Sequence, residues 1–489
     1  MAVTGGTGCT LILTEDGNIC AFGDNKYGEL GVGDNEKHAE PCMLNHADKF
    51  DGHEVVMVAT ATLVSACVTK DGSLWTWGLN PGRKQGGTQE GGGVPDAFHE
   101  PRRMCMSLHG NSPVQMVSCQ MHFMLILTAA GNIWSIGAGR YYELGHGNLE
   151  HCREPKCIDP ARFDGVEIGM VCAGGHHCVA VSKTGGRVWT WGNNMWGETG
   201  VGDVQGSCVQ NPTLIPATQL DGEAVAFASC GTDFTMLVTV SGVLWACGNN
   251  SSHECGFDRR TPTHTHLLSK IFRRVGGAEY FGPKGVRTVS CGYDHSMIIA
   301  HNNSLWSCGS NIFGELGYES RDSLYNRNTL TLVDSAQFHN HNSEVLSDNE
   351  VHIVSAGMCA STVVTAGGDV WVCGKKSNDF LIHCMSKGVW QSARVDLSPQ
   401  RLFLNEIGDT GGTDCLRAGR WHDVQRQRTT AFAMGLHPSF ANNVDYGGTT
   451  PYNVNFPDEL LREMFQRMRF AVREGSSTSL QILLGIESE

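Results

Sequence analysis

The sequence predicts an all-β fold built as a circular or stacked array of small sheets, and three observations predict it. First, a two-strand phrase recurs. It is clearest at 291–317, where Cys291-Gly292-Tyr293-Asp294-His295-Ser296 leads into the apolar run Met297 to Ala300, then Ser304-Leu305-Trp306-Ser307-Cys308-Gly309, then Phe313-Gly314-Glu315-Leu316-Gly317. Two short apolar runs set between turn residues read as a β-hairpin. Second, the glycine closing the hairpin falls at Gly23, Gly78, Gly137, Gly192, Gly248, Gly309 and Gly374, so the phrase returns at nearly even intervals along the chain. A lone hairpin cannot bury its apolar face, but units repeating at this length bury it against one another. Third, the strands before these glycines carry bulky residues two apart, as in Leu74-Trp75-Thr76-Trp77 and Val188-Trp189-Thr190-Trp191. That is the period of a strand.

Taken in order, residues 2–34 hold the first repeat, ending in Tyr27-Gly28-Glu29-Leu30-Gly31, and 35–58 its outer strand and crossover. The second repeat, 59–78, loses the closing phrase and runs into Pro81-Gly82-Arg83-Lys84-Gln85-Gly86-Gly87 and Gly91-Gly92-Gly93. Repeats three (114–147) and four (168–203) are regular, and repeat five (225–258) keeps Glu254-Cys255-Gly256. The link 259–285, with Arg259-Arg260 and Arg273-Arg274, is the most basic stretch. Repeat six (286–317) precedes a polar segment expected as one long loop, 318–350. Repeat seven (351–374) ends in Lys375-Lys376-Ser377-Asn378-Asp379 in place of the phrase. An echo at 416–435, ending in Gly435, is expected to supply strands that meet the first repeat and close the array. Residues 436–456 read as a linker. Residues 457–473 read as a helix with Leu460, Leu461, Met464, Phe465 and Met468 on one face, opening a C-terminal helical extension over 457–489.

These phrases resemble the repeat of the regulator of chromosome condensation family: glycine-x-x-His-Ser/Thr, an apolar strand, x-Gly-x-Val-Tyr/Trp-x-Trp-Gly, then Asn-x-x-Gly-Gln-Leu-Gly. The resemblance covers about residues 2–435. It implies a seven-bladed β-propeller of four-stranded sheets, with eight blades as the alternative, and a short C-terminal α-helical extension. A propeller leaves only short, protected edges. The chain departs from the pattern in two ways. The histidine is present at His177 and His295 and missing from most repeats, and glutamate replaces the family glutamine.

Composition limits the function. The formal net charge is −14 at pH 7 and no basic run stands out. This argues against phosphate-backbone binding and simple anionic-membrane binding. No apolar run approaches a membrane span, and Met1-Ala2-Val3-Thr4 shows no signal-peptide pattern. Twenty cysteines then imply a reducing, intracellular setting, cytoplasmic first, with the nucleus and cytoskeletal structures as alternatives. No nucleotide-binding glycine loop and no zinc-protease helix occurs, so neither an enzyme activity nor a cofactor is expected.

The candidate residues are therefore surfaces for a partner. Trp75, Trp134, Trp189, Trp245, Trp306 and Trp371 share one repeat position and are expected to pack between blades. One branch of the family absorbs light through clustered tryptophans beside Gly-Trp-Arg-His-Thr phrases. This chain has none, and Gly419-Arg420-Trp421-His422 is a scrambled echo. Cys247, Cys308 and Cys373 take the place of Trp77 and Trp191 and read as small buried residues. Glu29, Glu143, Glu198, Glu254 and Glu315 fill one slot of the closing phrase. They read as turn hydrogen bonders, as an acidic surface ring that selects a basic partner, or as both. Asp294 and His295 sit where the resemblance places groups that touch a Ran-like GTPase, and Asp233 is similarly placed. Leu461 and Phe465 would dock the helix.

The reading is a non-enzymatic interaction platform or adaptor in a larger assembly, its partner set by loops 81–98, 318–350 and 375–395. The alternative is a guanine-nucleotide exchange factor for a Ran-like small GTPase.

Overall fold

The computed structural model describes residues 2–80, 97–257, 267–318, 327–366, 370–374 and 391–393, apart from positions 7, 106, 108, 109, 121, 335–337 and 339–349. It contains seven four-stranded antiparallel sheets, each made of strands consecutive in sequence. Blade one is Ala2–Gly5, Cys9–Leu13, Ile19–Gly23 and His38–Leu44; blade two is Val55–Thr60, Val64–Thr69, Leu74–Leu79 and Ala97–Arg103. Blade three is Val114–Cys119, Phe123–Thr128, Ile133–Gly137 and Cys152–Cys157; blade four is Ile168–Ala173, His177–Ser182, Val188–Asn193 and Cys208–Leu214. Blade five is Val225–Cys230, Phe234–Thr239, Leu244–Asn249 and Leu268–Gly276; blade six is Val286–Cys291, His295–Ala300, Leu305–Gly309 and Arg327–Leu332. Blade seven is Val351–Ala356, Ala360–Thr365, Val370–Gly374 and Gln391–Ala393.

The first strand of each blade touches the first strands of both neighbours, and Ala2–Gly5 touches Val351–Ala356. The fold is therefore the seven-bladed propeller, not the eight-bladed alternative. Blade one is complete from its own four strands. The ring closes by apolar packing of Val3, Ile12, Cys20 and Phe22 against Ile353, Val364, Val370 and Val372 of blade seven. The closing strands expected at 416–435, the linker and the helical extension with Leu461 and Phe465 lie outside the described residues.

Each blade is covered on both faces, so its second and third strands are buried along nearly their whole length. Neighbouring side chains leave opposite faces of a strand. In blade one, Ile12, Cys20 and Phe22 accordingly face blade seven, while Leu11, Leu13, Ile19 and Ala21 pack with residues of blade two. The repeated tryptophans do pack between blades. Phenylalanines from the preceding crossover meet them edge to face: Phe50 on Trp75 at 5.5 Å, Phe163 on Trp189 at 6.0 Å, Phe281 on Trp306 at 5.5 Å and Phe338 on Trp371 at 5.7 Å between ring centres. Large apolar area plus this ring geometry holds one blade's outer part to the next.

Around the axis the inner strands are stitched by hydrogen bonds. A backbone N–H at the end of one blade's first strand donates to a side chain one residue earlier in the preceding blade. Thr60 donates to Thr4, Ala173 to Ser118, Cys230 to the Cys172 sulfur, Cys291 to Ser229 and Ala356 to Ser290, at 2.9–3.3 Å. Ala59 interrupts the series in blade two. Ser355 fills the slot in blade seven, and its buried hydroxyl has no partner among the described residues.

The fourth strand carries a bulge. In blade one Ala21 pairs with Cys42 and Gly23 with His38, so residues 39–41 face Phe22 alone. Blades two to six repeat that register. Pro41, Pro101, Pro155 and Pro212 all fall inside it, where no ladder N–H is needed.

Three expected loops need correction. The segment 318–350 is not one loop, because Arg327–Leu332 is the fourth strand of blade six. Likewise the loops expected at 81–98 and 375–395 run into strands that begin at Ala97 and occupy Gln391–Ala393. In each case the outer strand pairs on one side only, and its sequence lacks the apolar run that marks an inner strand.

Candidate protein-interaction face

Strand order fixes which loops share an end of the ring. The turn between strands one and two and the connection between strands three and four emerge at one end. The turn between strands two and three and the crossover to the next blade emerge at the other.

At the first end, the one-to-two turn has the same length in every blade, for example 174–176, 231–233 and 292–294. In blades four, five and six it opens on glycine, and there a Cβ would strike the ring that begins the second strand, His177, Phe234 or His295. A Cβ on Gly292 would stand 2.6 Å from Cε1 of His295, too close for any packing. His295 donates from Nε2 to the Ser361 hydroxyl of blade seven at 2.8 Å, and that hydroxyl donates to the Glu315 carbonyl, also at 2.8 Å. His177 repeats the arrangement with Thr235 and the Glu198 carbonyl. Each serine or threonine spends its one proton on the carbonyl, so each histidine must carry its proton on Nε2. Burial lowers both imidazoles to about 3. They are neutral joints between blades. Asp294 and His295 are both buried, at 5% and 1% exposure, so neither is presented for a partner to contact.

The five glutamates are also buried, none above 4% exposed. The acidic-surface-ring reading is therefore corrected in favour of the turn reading. Each carboxylate accepts the backbone N–H two positions earlier, from Tyr27, Tyr141, Trp196, Ser252 and Phe313, at 2.5–2.8 Å. Each backbone carbonyl then serves the next blade. The Glu29 and Glu143 carbonyls accept from the indole N–H of Trp77 and Trp191 at 2.9 Å. Those of Glu198, Glu254 and Glu315 accept from the thiols of Cys247, Cys308 and Cys373 at 3.3–3.4 Å. Cysteine thus replaces tryptophan while keeping a donor aimed at the same oxygen. Burial pushes Glu29 and Glu143 up to about 7 against the hydrogen bonds they accept, and raises Glu315 as well.

The rim of the short turns is partly accessible at this end. His176 and Tyr293 are half-buried there, and Tyr141 lies against His176 at 4.5 Å between ring centres. The third-to-fourth connection is equally short in blades one, three and four, at 24–37, 138–151 and 194–207. It is longer in blades two, five, six and seven, at 80–96, 250–267, 310–326 and 375–390. All the length that varies between blades at this end lies in that one connection.

At the opposite end the crossovers are of nearly one length, except 333–350 between blades six and seven, which is about twice as long as the others. Backbone bonds such as Lys70 to Glu54, Lys183 to Glu167 and His301 to Gly285 tie each two-to-three turn to a crossover. Ion pairs repeat the tie, with Lys70–Glu54 at 2.8 Å beside Lys183–Glu167 and Arg187–Asp164. The basic link is partly neutralised too: Arg274 grips Glu279 through both terminal nitrogens, at 2.6 and 3.0 Å.

Among the described residues no group of His, Cys, Asp and Glu side chains is arranged to hold a metal ion. The described cysteines form no disulfide, and no described helix is long and apolar enough to cross a membrane.

The family model of the regulator of chromosome condensation (RCC1) repeat matches residues 16–68, 130–181, 185–238 and 286–315. Among curated proteins, the chain is 31% identical over 281 residues to the human E3 ubiquitin-protein ligase HERC2, covering 57% of this chain and 5% of that protein. It is 26% identical over 385 residues to the ultraviolet-B receptor UVR8 of Arabidopsis thaliana, covering 77% of each. Among solved structures, human WBSCR16 superposes with a TM-score of 0.62 at 18% identity, covering 77% of this chain and 94% of that one. Prp20p of Saccharomyces cerevisiae, described with its binding to Gsp1p and histones, gives 0.59 at 22% identity, covering 76% and 81%. These identities support a shared fold.

Proposed function

We propose that this chain, a seven-bladed propeller belonging to the regulator of chromosome condensation repeat family, is a non-enzymatic protein-interaction platform that binds its partner through the end bearing the third-to-fourth connections. One observation carries the reading. Blades two, five, six and seven extend that connection beyond the length shared by the other three, while the one-to-two turns beside it keep a single length. Excess loop length on a rigid scaffold is where recognition resides. The buried side chains at this end are committed to joints between blades, so the scaffold is stiff and pre-organised, which lowers the ordering cost of binding.

Exchange of guanine nucleotide on a Ran-like GTPase is the competing reading, drawn from the family resemblance and from the Gsp1p binding described for Prp20p. The burial of Asp294 and the engagement of His295 with Ser361 weigh against those two residues as the exchange site.

The test is a variant in which 80–96, 250–267, 310–326 and 375–390 are each replaced by the shorter connection of blade four, 194–207. Crosslinking mass spectrometry on the native complex identifies the partner first. The platform reading expects the variant to keep its melting temperature and lose that partner. Retained binding would move the site elsewhere. Acceleration of nucleotide release from a purified GTPase by the wild-type chain would favour exchange.

A further inference from the structure

The bulge in blade one assembles a group that none of blades two to six carries. His38 and Cys42 are four positions apart in a strand, a spacing at which side chains do not normally meet. Their ladder partners, Gly23 and Ala21, are only two apart, because residues 39–41 bulge out with Pro41. The compression places the Cys42 sulfur 3.2 Å from Nδ1 of His38. On the other side of the ring, Nε2 lies 3.0 and 3.1 Å from the two carboxylate oxygens of Asp34. Asp34 is held in turn by the Asn25 side-chain amide at 2.8 Å and the Glu36 N–H at 3.0 Å. The equivalent pairs in blades two to six are Phe98/Arg102, Cys152/Lys156, Val209/Thr213, Ser269/Arg273 and Arg327/Thr331.

The chemistry follows from the tautomer. An ionised Asp34 only accepts, so Nε2 carries the proton and Nδ1 presents its lone pair to the thiol. The two ring nitrogens face different partners, so the three residues do not converge on a single metal ion. This is the nucleophile–base–orienting carboxylate relation. Slight desolvation of Asp34 is outweighed by the hydrogen bonds it accepts from His38, Glu36 and Asn25, which hold its carboxyl below the usual range. Burial first, and then the Asp34 and Glu40 carboxylates, raise the Cys42 thiol. The resting sulfur is thus protonated, and its reactivity depends on the base. Besides Glu40, His99 of blade two also faces the cluster, its Nδ1 3.0 Å from the Asp34 carbonyl.

We propose that Cys42 is a base-activated thiol, and that this half-buried outer-strand site takes a small electrophile of the hydroperoxide class. His38 accepts the thiol proton at Nδ1 as the sulfur attacks the hydroxyl-bearing oxygen of the peroxide. The O–O bond breaks, and the departing oxygen takes the proton and leaves as water or alcohol. Sulfur is oxidised by two electrons to a sulfenic acid, and the peroxide is reduced by two. Cys20 is not positioned to resolve it. Cys20 pairs with Met43 and Cys42 with Ala21, so the two side chains leave opposite faces of the sheet. The sulfenic acid therefore awaits an external thiol.

Iodoacetamide labelling of the intact chain, followed peptide by peptide by mass spectrometry from pH 5 to 9, tests the base. Cys157, also half-buried on an outer strand, and the exposed Cys105 serve as references in the same digest. Cys42 is expected to react at least about tenfold faster than Cys157 near neutral pH. His38→Gln is expected to remove that advantage and leave Cys157 unchanged. Asp34→Asn is expected to move the pH profile of Cys42 alone, as befits a positioning residue. Hydrogen peroxide followed by dimedone is expected to label Cys42 ahead of the other two. Equal wild-type rates for Cys42 and Cys157 would overturn the proposal without any variant. So would an unchanged Cys42 rate in a folded His38→Gln chain, or dimedone labelling that does not favour Cys42.

Discussion

A buried carboxylate that accepts a backbone N–H in one blade while its carbonyl anchors the next couples protonation to stability. Glu29 and Glu143 titrate near 7 in the folded chain and near 4.5 when unfolded. The folded state therefore holds more protons between those values. Their contribution is fully present below about 4.5 and is lost as pH rises through 7. Glu29→Gln with Glu143→Gln keeps the acceptor and removes the charge. The double variant is expected to melt a few degrees higher than wild type at pH 8 and to match it at pH 5. An unchanged difference between the two pH values would refute the assignment. The two joint histidines work in the opposite sense. Their folded values lie near 3, so the stability they give is present above about 6.5 and lost as pH falls toward 3. His295→Gln is expected to soften the acid limb of a melting-temperature profile. In the sequence the glutamates visibly share one slot, but a repeat position does not report exposure, and only burial decides between the two readings. The Cys42 group is less legible still. A spacing of four in a strand predicts no contact, and only the bulge brings the side chains together.

Between blades, the crossovers and inner strands make separate predictions. Phe281 is fully buried and meets Trp306 edge to face, so Phe281→Ala is expected to cost about 3–5 kcal/mol. The same change should dim the near-ultraviolet circular dichroism of the tryptophans. The inner stitches allow a paired comparison. Ser290→Ala orphans the buried Ala356 N–H and is expected to cost about 1–3 kcal/mol. Ser355→Ala removes a hydroxyl with no partner among the described residues and is expected to cost far less, although both serines hold the same repeat position. Equal losses in urea unfolding would contradict the stitch pattern. The glycines and tryptophans of the third strands are legible in the sequence because both faces of an inner strand are constrained. The closing glycine is one such constraint: at φ +104°, a Cβ on Gly248 would lie 2.5 Å from the Asp233 carbonyl. The fourth strands are hidden because one edge is unpaired and their residues are mixed, which is why Arg327–Leu332 reads as loop.

For the molecule as a whole, the repeat spacing conveys a ring of sheets. It does not convey how the ring shuts. The echo at 416–435 has the pattern of a closing strand, whereas blade one is built from 2–44 alone and meets blade seven through an apolar seam. That leaves four connections of extra length at one end of the ring, and at the other end turns tied to their crossovers with one long crossover, 333–350. The most direct measurement is partner binding by the chain whose four long connections have been cut to the length of 194–207, read beside its melting temperature. If the uneven connections hold the partner, the melt is unchanged and affinity falls at least about a hundredfold, a change of about 2.7 kcal/mol. Undiminished binding by that folded, trimmed chain would contradict it.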